Sequence, residues 1–297
     1  STKGAMNLID AERSAELYAL IGDRVTVSGG SAANTVIGVN SLGGSSAYIG
    51  RVAADDLGDI FSYDMSQLGI EHSTPRAPID DPTGRCIIFI TPDGERTLNT
   101  FLGASNGLTP ADVDLELVAR AKVLFLEGYL WDPPEAKAAM RYAASAISDG
   151  AQVALTLSDQ FCVERHRSSF LGLIDDHVDV LFANHHEIMS LFEVDGLEQA
   201  LDLVQNRVDL AVITLGADGS VLVTPDGTTS VEADPVAAVV DKTGAGDLYA
   251  SGVLYGLARG YDLRRCGQLG SIAAEEVIGH IGPRPETSLR ELAGELA

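Results

Sequence analysis

The densest chemistry in the chain is Asp241-Lys242-Thr243-Gly244-Ala245-Gly246-Asp247. A strand-like apolar run ends near Val240, a glycine-rich turn follows, and a helical pattern begins. Free backbone N–H groups and the positive end of a helix dipole then meet at one point, which makes an anion site. Glycine lets a phosphate approach the backbone closely. Asp247 falls in the first helical turn, beside that point. A carboxylate next to an anion hole is costly unless it has a task, and taking the proton from an attacking hydroxyl is such a task. Gly244, Ala245, Gly246 and Asp247 are therefore the expected catalytic group. Taken alone, a tight turn capped by Asp247 accounts for the same residues equally well.

Three more segments have the same strand-to-turn character. Ser28-Gly29-Gly30-Ser31-Ala32-Ala33-Asn34-Thr35 places a glycine pair before a helix. The Asn34 amide and the Gly29 and Gly30 N–H groups are candidates to hold vicinal hydroxyls. The small residues Ala32, Ala33, Gly38 and Gly43 equally suit a tightly packed helix with no ligand. Asn184 and Glu187 stand three apart after an apolar strand, on one helix face at the strand end where α/β folds place their sites. The intervening His185-His186 is no zinc motif, because adjacent histidines on a helix point in different directions. Thr214-Leu215-Gly216-Ala217-Asp218-Gly219 is a weaker glycine cluster. The chain has no GxxxxGK[ST] loop, no GxGxxG in dinucleotide-fold context and no GxSxG elbow.

The elements that must position these groups alternate between strand and helix. Asp10 to Ile21 reads as a capped helix closed by Gly22, Val25-Thr26-Val27 as a short strand, and Ala32 to Leu42 as a small-residue helix. Ala47 to Ile49 is a strand and Asp55 to Leu68 a helix. Cys86 to Ile90 and Arg96 to Phe101 flank the turn Pro92-Asp93-Gly94-Glu95, which reads as a hairpin in a small β appendage at about 82–104. Thr109 and Pro110 open a further helix. Val123–Leu126, Val153–Leu157, Val178–Phe182 and Leu210–Thr214 are short and mostly apolar, as central parallel strands are. Pro133 to Ser148 is a helix, 221–224 and 229–232 form a second hairpin, and helices begin near Gly244, Asp262 and Ser288. The expected fold is α/β: a three-layer, doubly wound, mostly parallel sheet in one domain, with a small β lid.

Composition bounds the rest. The chain has 297 residues, 45% of them hydrophobic, and a formal net charge of −23. Such a charge argues against a nucleic-acid surface, which needs clustered Lys and Arg. The three cysteines, Cys86, Cys162 and Cys266, are far apart, as expected in a reducing compartment. No membrane span or signal peptide is legible, so the cytoplasm is the expected location. Monomer and homodimer both stay open.

Two segments together resemble the paired signatures of the ribokinase, or PfkB-type carbohydrate kinase, family. They are Gly29 to Leu57 and Asp241 to Gly256, with Asn184/Glu187 and Thr214-x-Gly216-x-x-Gly219 between them in the family's order. The resemblance covers nearly the whole chain and implies a ribokinase-like fold and an ATP- and Mg2+-dependent kinase. By it, Gly29, Gly30, Ser31 and Asn34 hold the sugar, and Glu187 meets Mg2+ through water beside Asn184. Thr214, Gly216, Gly219, Thr243, Ala273, Ala274 and Val277 line the nucleotide site. Arg96, next to Glu95 at the hairpin turn, is the candidate lid cation, with a surface ion pair as the plain alternative. By the resemblance Asp241 marks the place of a monovalent cation such as K+, with Lys242 standing where the family usually has Thr. The family's opening strand, whose Asp binds the sugar, has no counterpart here, and N-terminal residues missing from the chain are the expected reason. The lid segment and Leu126 to Trp131 look closest to bacterial adenosine-kinase-like members, so Leu98, Thr100, Phe101, Tyr129 and Trp131 are expected around a purine. The partners implied are ATP and a nucleoside, with ribose or another sugar as the competing acceptor. A non-catalytic sensor on the same fold has no use for Asp247.

Overall fold

The computed structural model describes residues 6–78, 81–91, 96–236 and 238–297. Its first part contains β1 (Met6–Leu8), α1 (Ala11–Leu20), α2 (Ser31–Ser41), β2 (Ala47–Ile49), β3 (Val52–Ala53), α3 (Asp56–Gln67), β4 (Glu71–Ser73), β5 (Arg76–Ala77), β6 (Thr83–Ile90) and β7 (Arg96–Gly103). The body follows with α4 (Leu115–Arg120), β8 (Val123–Glu127), α5 (Pro134–Ser145), β9 (Gln152–Thr156), α6 (Gln160–His177), β10 (Val180–Asn184), α7 (His185–Phe192) and α8 (Leu197–Val204). It closes with β11 (Leu210–Thr214), β12 (Ser220–Thr224), β13 (Gly227–Val231), α9 (Ala245–Ala258), α10 (Leu263–Ile278) and α11 (Leu289–Ala293). Part of the acidic composition sits at helix starts. Asp10, Asp55, Asp114, Asp159 and Asp262 each accept a bond from a backbone N–H in the first turn of the helix that follows.

The apolar runs become one six-stranded sheet, ordered β13-β12-β11-β10-β9-β8. β8 to β11 are parallel, and β12 and β13 return antiparallel. Alternate residues feed two cores, as the two-residue strand period requires. Val153, Leu155, Leu181, Ala183, Ala211 and Ile213 pack with buried residues of α5, α6, α7 and α8. Ala154, Val180, Phe182, Leu210 and Val212 pack on the other face with α9 and α10. That is the expected three-layer arrangement.

Helices α2 and α9 lie side by side with no room between them. A Cβ added at Gly38 would stand 2.2 Å from Ser251 Oγ, and one at Gly44 would stand 3.1 Å from the Tyr255 ring. At the other end Ser31 meets Asp247. The two helices therefore run parallel, and both N-termini arrive at the same place. On its far side α9 meets α10 as closely, since a Cβ at Gly252 would lie 2.4 Å from the backbone of Leu269 and Gly270.

The lid is a three-stranded sheet in the order β1-β7-β6. The hairpin runs in regular register from Arg85↔Phe101 to Ile90↔Arg96, and β1 adds to it in parallel. The expected turn at 92–95 lies outside the described residues. Helix α1 covers one face: Arg85 donates to Ser14 Oγ and lies over the Tyr18 ring.

Two local expectations need correction. Residues 25–27 are irregular, and Val25 and Val27 are 72% and 45% exposed, so this short β-branched run has no strand to pair with among the described residues. Thr109 and Pro110 open only the single turn Pro110–Asp112, because Val113 returns to an extended backbone, and α4 starts later under Asp114. The long helix α6 and the strand β1 were not legible. Small parallel pairs, β2 with β4 and β3 with β5, occupy the stretch before the lid.

Candidate active site

The site forms where the N-termini of α2 and α9 converge. Gly30 caps α2 with φ 109°, a backbone region that favours glycine, and Gly244 caps α9 with φ 81°. Gly244 also rests on Pro283, so that a Cβ there would fall 2.8 Å from Pro283 Cβ. Asp241 holds the turn from below. Its Oδ1 accepts from Thr243 N and Oγ1 at 2.9 and 2.7 Å, and its Oδ2 accepts from Gly282 N at 3.0 Å. The Gly246 and Asp247 N–H groups have no acceptor among the described residues. No atom lies within 4 Å of a Cβ built on Gly246, so the space above the turn is open. Two dipole ends, free N–H groups and open space fit the oxygens of a phosphate.

Asp247 stands at this point with both oxygens engaged. Ser31 Oγ donates to Oδ1 at 2.7 Å and Asn34 Nδ2 donates to Oδ2 at 2.8 Å. Burial pushes the carboxyl up to about 6, against the opposing pull of the Asn34 and Ser31 bonds and the Arg96 charge. A carboxylate so placed is ionised at neutral pH, still basic, and aimed by two donors. Asn34 therefore orients Asp247, and its amide is not open to the acceptor's hydroxyls as expected. Its Oδ1 is buried and has no partner among the described residues.

Glu127, at the end of β8, was missed as a site residue. Its Oε2 accepts from Ala32 N at 2.7 Å and so caps α2 in place of the absent side chain of Gly30. Burial raises its carboxyl to about 7, and the Asp247 charge adds to this. A lone Glu closing an apolar strand was the signal available in the sequence.

The neighbouring strand ends carry the rest. Asn184 and Thr214 are paired in register at the ends of β10 and β11. Asn184 and Glu187 cap each other: Asn184 Oδ1 accepts from Glu187 N at 2.9 Å, and the two Glu187 oxygens accept from Asn184 N and Nδ2. Burial holds Glu187 at about 7 despite the backbone bond from Asn184, with the Asp159 charge adding to the rise. Among the described residues no three acidic, His or Cys side chains gather as a direct metal cage. A hard divalent cation here would rely on phosphate oxygens and water, the usual habit of Mg2+. Gly216 and Gly219 make the turn after β11 at φ 65° and 83°.

The proposed substrate residues separate on inspection. Arg96, Leu98 and Thr100 share one face of β7, and the Arg96 charge reaches Asp247. Phe101 falls on the opposite face with Arg85, towards α1, because strand neighbours alternate. Trp131 is fully buried, stacked on Phe170 at 5.4 Å between centroids and donating to Ser169 Oγ. It belongs to the core and offers no face to a base. Tyr129 stays at the site: its hydroxyl donates to the Ser158 carbonyl at 3.0 Å, and its burial is shared with the charges of Asp159, Asp247 and Glu187. Ala273 and Val277 are also fully buried, packed with Leu248 and Leu269, so neither lines an open nucleotide site; Ala274 is only partly buried.

Comparison with known proteins bears on the family and the fold. An adenosine kinase structure from Sinorhizobium meliloti is 49% identical, with a TM-score of 0.96, over 100% of this chain and 91% of the other. A nucleoside kinase of Methanocaldococcus jannaschii is 29% identical over 256 residues, which is 84% of this chain and 78% of that protein. A 5-dehydro-2-deoxygluconokinase of Shouchella clausii is 30% identical over 262 residues, 84% of this chain and 80% of its own. The model of the pfkB family carbohydrate kinases matches residues 4–289, and the chain belongs to that family.

Proposed function

We propose that this kinase moves the γ-phosphoryl group of ATP to the 5′-hydroxyl of a nucleoside, adenosine first among them. The observation that carries the phosphotransfer reading is the pairing of a half-buried, doubly hydrogen-bonded Asp247 with the unfilled N–H groups of its own helix start. Asp247 takes the proton of the acceptor hydroxyl, whose oxygen then attacks the γ-phosphorus as the bond to the β,γ-bridging oxygen breaks and ADP leaves. Gly246 and Asp247 N–H groups receive charge on the transferring oxygens. Arg96 approaches from the lid and adds a cation where that charge develops. Asn184 and Glu187 would hold Mg2+ through water, which neutralises the phosphates when it is bound. Gly29 and Gly30, with no side chains in the way, face the acceptor's sugar. Asp241 braces the phosphate turn.

The nucleoside preference rests on likeness to the Sinorhizobium adenosine kinase and on apolar surface a bare sugar would leave unused. Leu98 on the lid and the half-buried Tyr129 ring, just past β8, are the candidates for that surface. Stacking one base on one aromatic ring is worth about 1–3 kcal/mol. At about 1.4 kcal/mol per decade that is ~5- to 150-fold in affinity. The Shouchella relative keeps a sugar acid in contention. A coupled ADP-release assay over adenosine, inosine, guanosine, cytidine, ribose, fructose and 5-dehydro-2-deoxygluconate decides. The highest kcat/KM is expected for adenosine. Ribose or the sugar acid matching the best nucleoside would remove the nucleoside reading and leave the family.

A further inference from the structure

Arg284 has no part in the chemistry above, yet it is a shielded cation beside it. Its side chain is 18% exposed and its Nη1 lies 3.6 Å from Asp64 Oδ2. Its Nε and Nη2 are closed off from solvent without an acceptor among the described residues. Leaving such donors unmet is costly to the fold. Asp64 is thus the one group among the described residues that fixes the guanidinium. A position this unfavourable for stability calls for a reason of another kind.

The reason lies in what Arg284 connects. Gly282 N is bound to Asp241, and Pro283 lies directly under Gly244, so residues 282–284 are fixed to the phosphate turn. From there Arg284 reaches across to Asp64 on α3. Asp64 Oδ2 also accepts from Ser28 Oγ, and Ser28 is buried immediately before Gly29-Gly30. The segment 22–30 has no regular structure to hold it. A chain of contacts therefore runs from the phosphate turn through Pro283, Arg284, Asp64 and Ser28 to the glycine pair.

We propose that Arg284 is a positioning residue: acting through Asp64 and Ser28, it sets the Gly29-Gly30 loop against the phosphate turn. This inference rests on the reading of that loop as the acceptor side of the site. Two measurements on the full chain keep the two ideas apart. Hydrogen–deuterium exchange tests the latch: Arg284→Met and Asp64→Asn should each speed exchange in peptides covering 22–30 and leave the core of α9 unchanged. Steady-state kinetics test the reading: both variants should raise KM for adenosine ~10-fold, about 1.4 kcal/mol, with kcat and KM for ATP nearly unchanged. The double variant should be no worse than either single one, because the residues act as one unit. Arg284→Lys, which keeps the charge, should restore most of the loss. A general loss of stability would not give that split or that rescue. Unchanged exchange in 22–30, or effects that simply add, would overturn the latch. Faster exchange with unchanged KM would leave the latch standing and remove the acceptor loop.

Discussion

Replacing Asp247 by Asn should separate activity from stability in opposite directions. The side chain keeps its shape. Its amide nitrogen can face Ser31, whose hydroxyl accepts as well as donates, while its oxygen keeps the bond from Asn34. The proton acceptor is lost. General-base help is worth ~10²–10⁴-fold, so kcat should fall by about that factor with KM little changed. Stability moves the other way. Burial raises this carboxyl from 3.8 to about 6, and at about 1.36 kcal/mol per pH unit that is about 3 kcal/mol against ionisation in the folded state. A folded value above the unfolded one favours the protonated fold. That advantage is whole below pH 3.8 and is lost as pH rises through about 6. At pH 7.5 the wild type therefore carries the full cost, and Asn relieves it. Allowing for partial solvent access, ~1–3 kcal/mol should appear as a Tm increase of ~2–6 °C. Calorimetry at pH 7.5 and at pH 4 checks the sign, since the gap should close in acid. A variant with wild-type kcat, or one whose Tm falls at pH 7.5, would refute the reasoning. In the wild type, kcat/KM should decline with falling pH about a midpoint near 6.

Other substitutions probe the remaining parts. Arg96→Ala should lower kcat ~10- to 100-fold with little change in KM for ATP, as for a group acting mainly in the transition state; unchanged kinetics would make it an idle surface residue. Gly246→Val should abolish ATP turnover at unchanged Tm, because the new side chain enters open space and meets no protein atom; near-normal activity would move the phosphate site elsewhere. Leu98→Ala should raise KM for adenosine several-fold and Phe101→Ala should not, as they lie on opposite faces of β7; equal effects would contradict the strand parity.

The phosphate turn was legible because its chemistry is local. A glycine turn, a helix start and a carboxylate all fall within seven residues of sequence. The strands of the body were legible for a similar reason, since runs such as Val180–Asn184 are buried on both faces and carry no polar interruption. What failed depends on distant partners. Asn34 could be placed on the first turn of its helix, but its partner Asp247 lies 213 residues away. Trp131 looked like a stacking platform because aromatic residues at a strand end can face either a ligand or the core; Phe170 on α6, a helix not foreseen, decided for the core. Glu127 looked like the end of a strand until Ala32 came to meet it. Phe101 is a different case. The odd spacing from Leu98 already separates the two side chains in any strand, so that error was avoidable.

The seam between α2 and α9 has a consequence for how this enzyme can change. Gly38 and Gly44 set the spacing of the two helices, and with it that of the catalytic groups, by the atoms they lack, from one helical turn beyond Asn34 onward. Even a single methyl group at Gly38 would act as a wedge and spread the helices at their shared end. Ser31 and Asn34 would drift from Asp247 without any of the three being altered. Catalytic alignment is thus exposed to substitutions that inspection of the pocket would pass as harmless. The tolerance for drift should be lower along this buried glycine line than among the side chains of the lid that surround the acceptor. New acceptor specificities are then most accessible through the lid, with the seam left as it is.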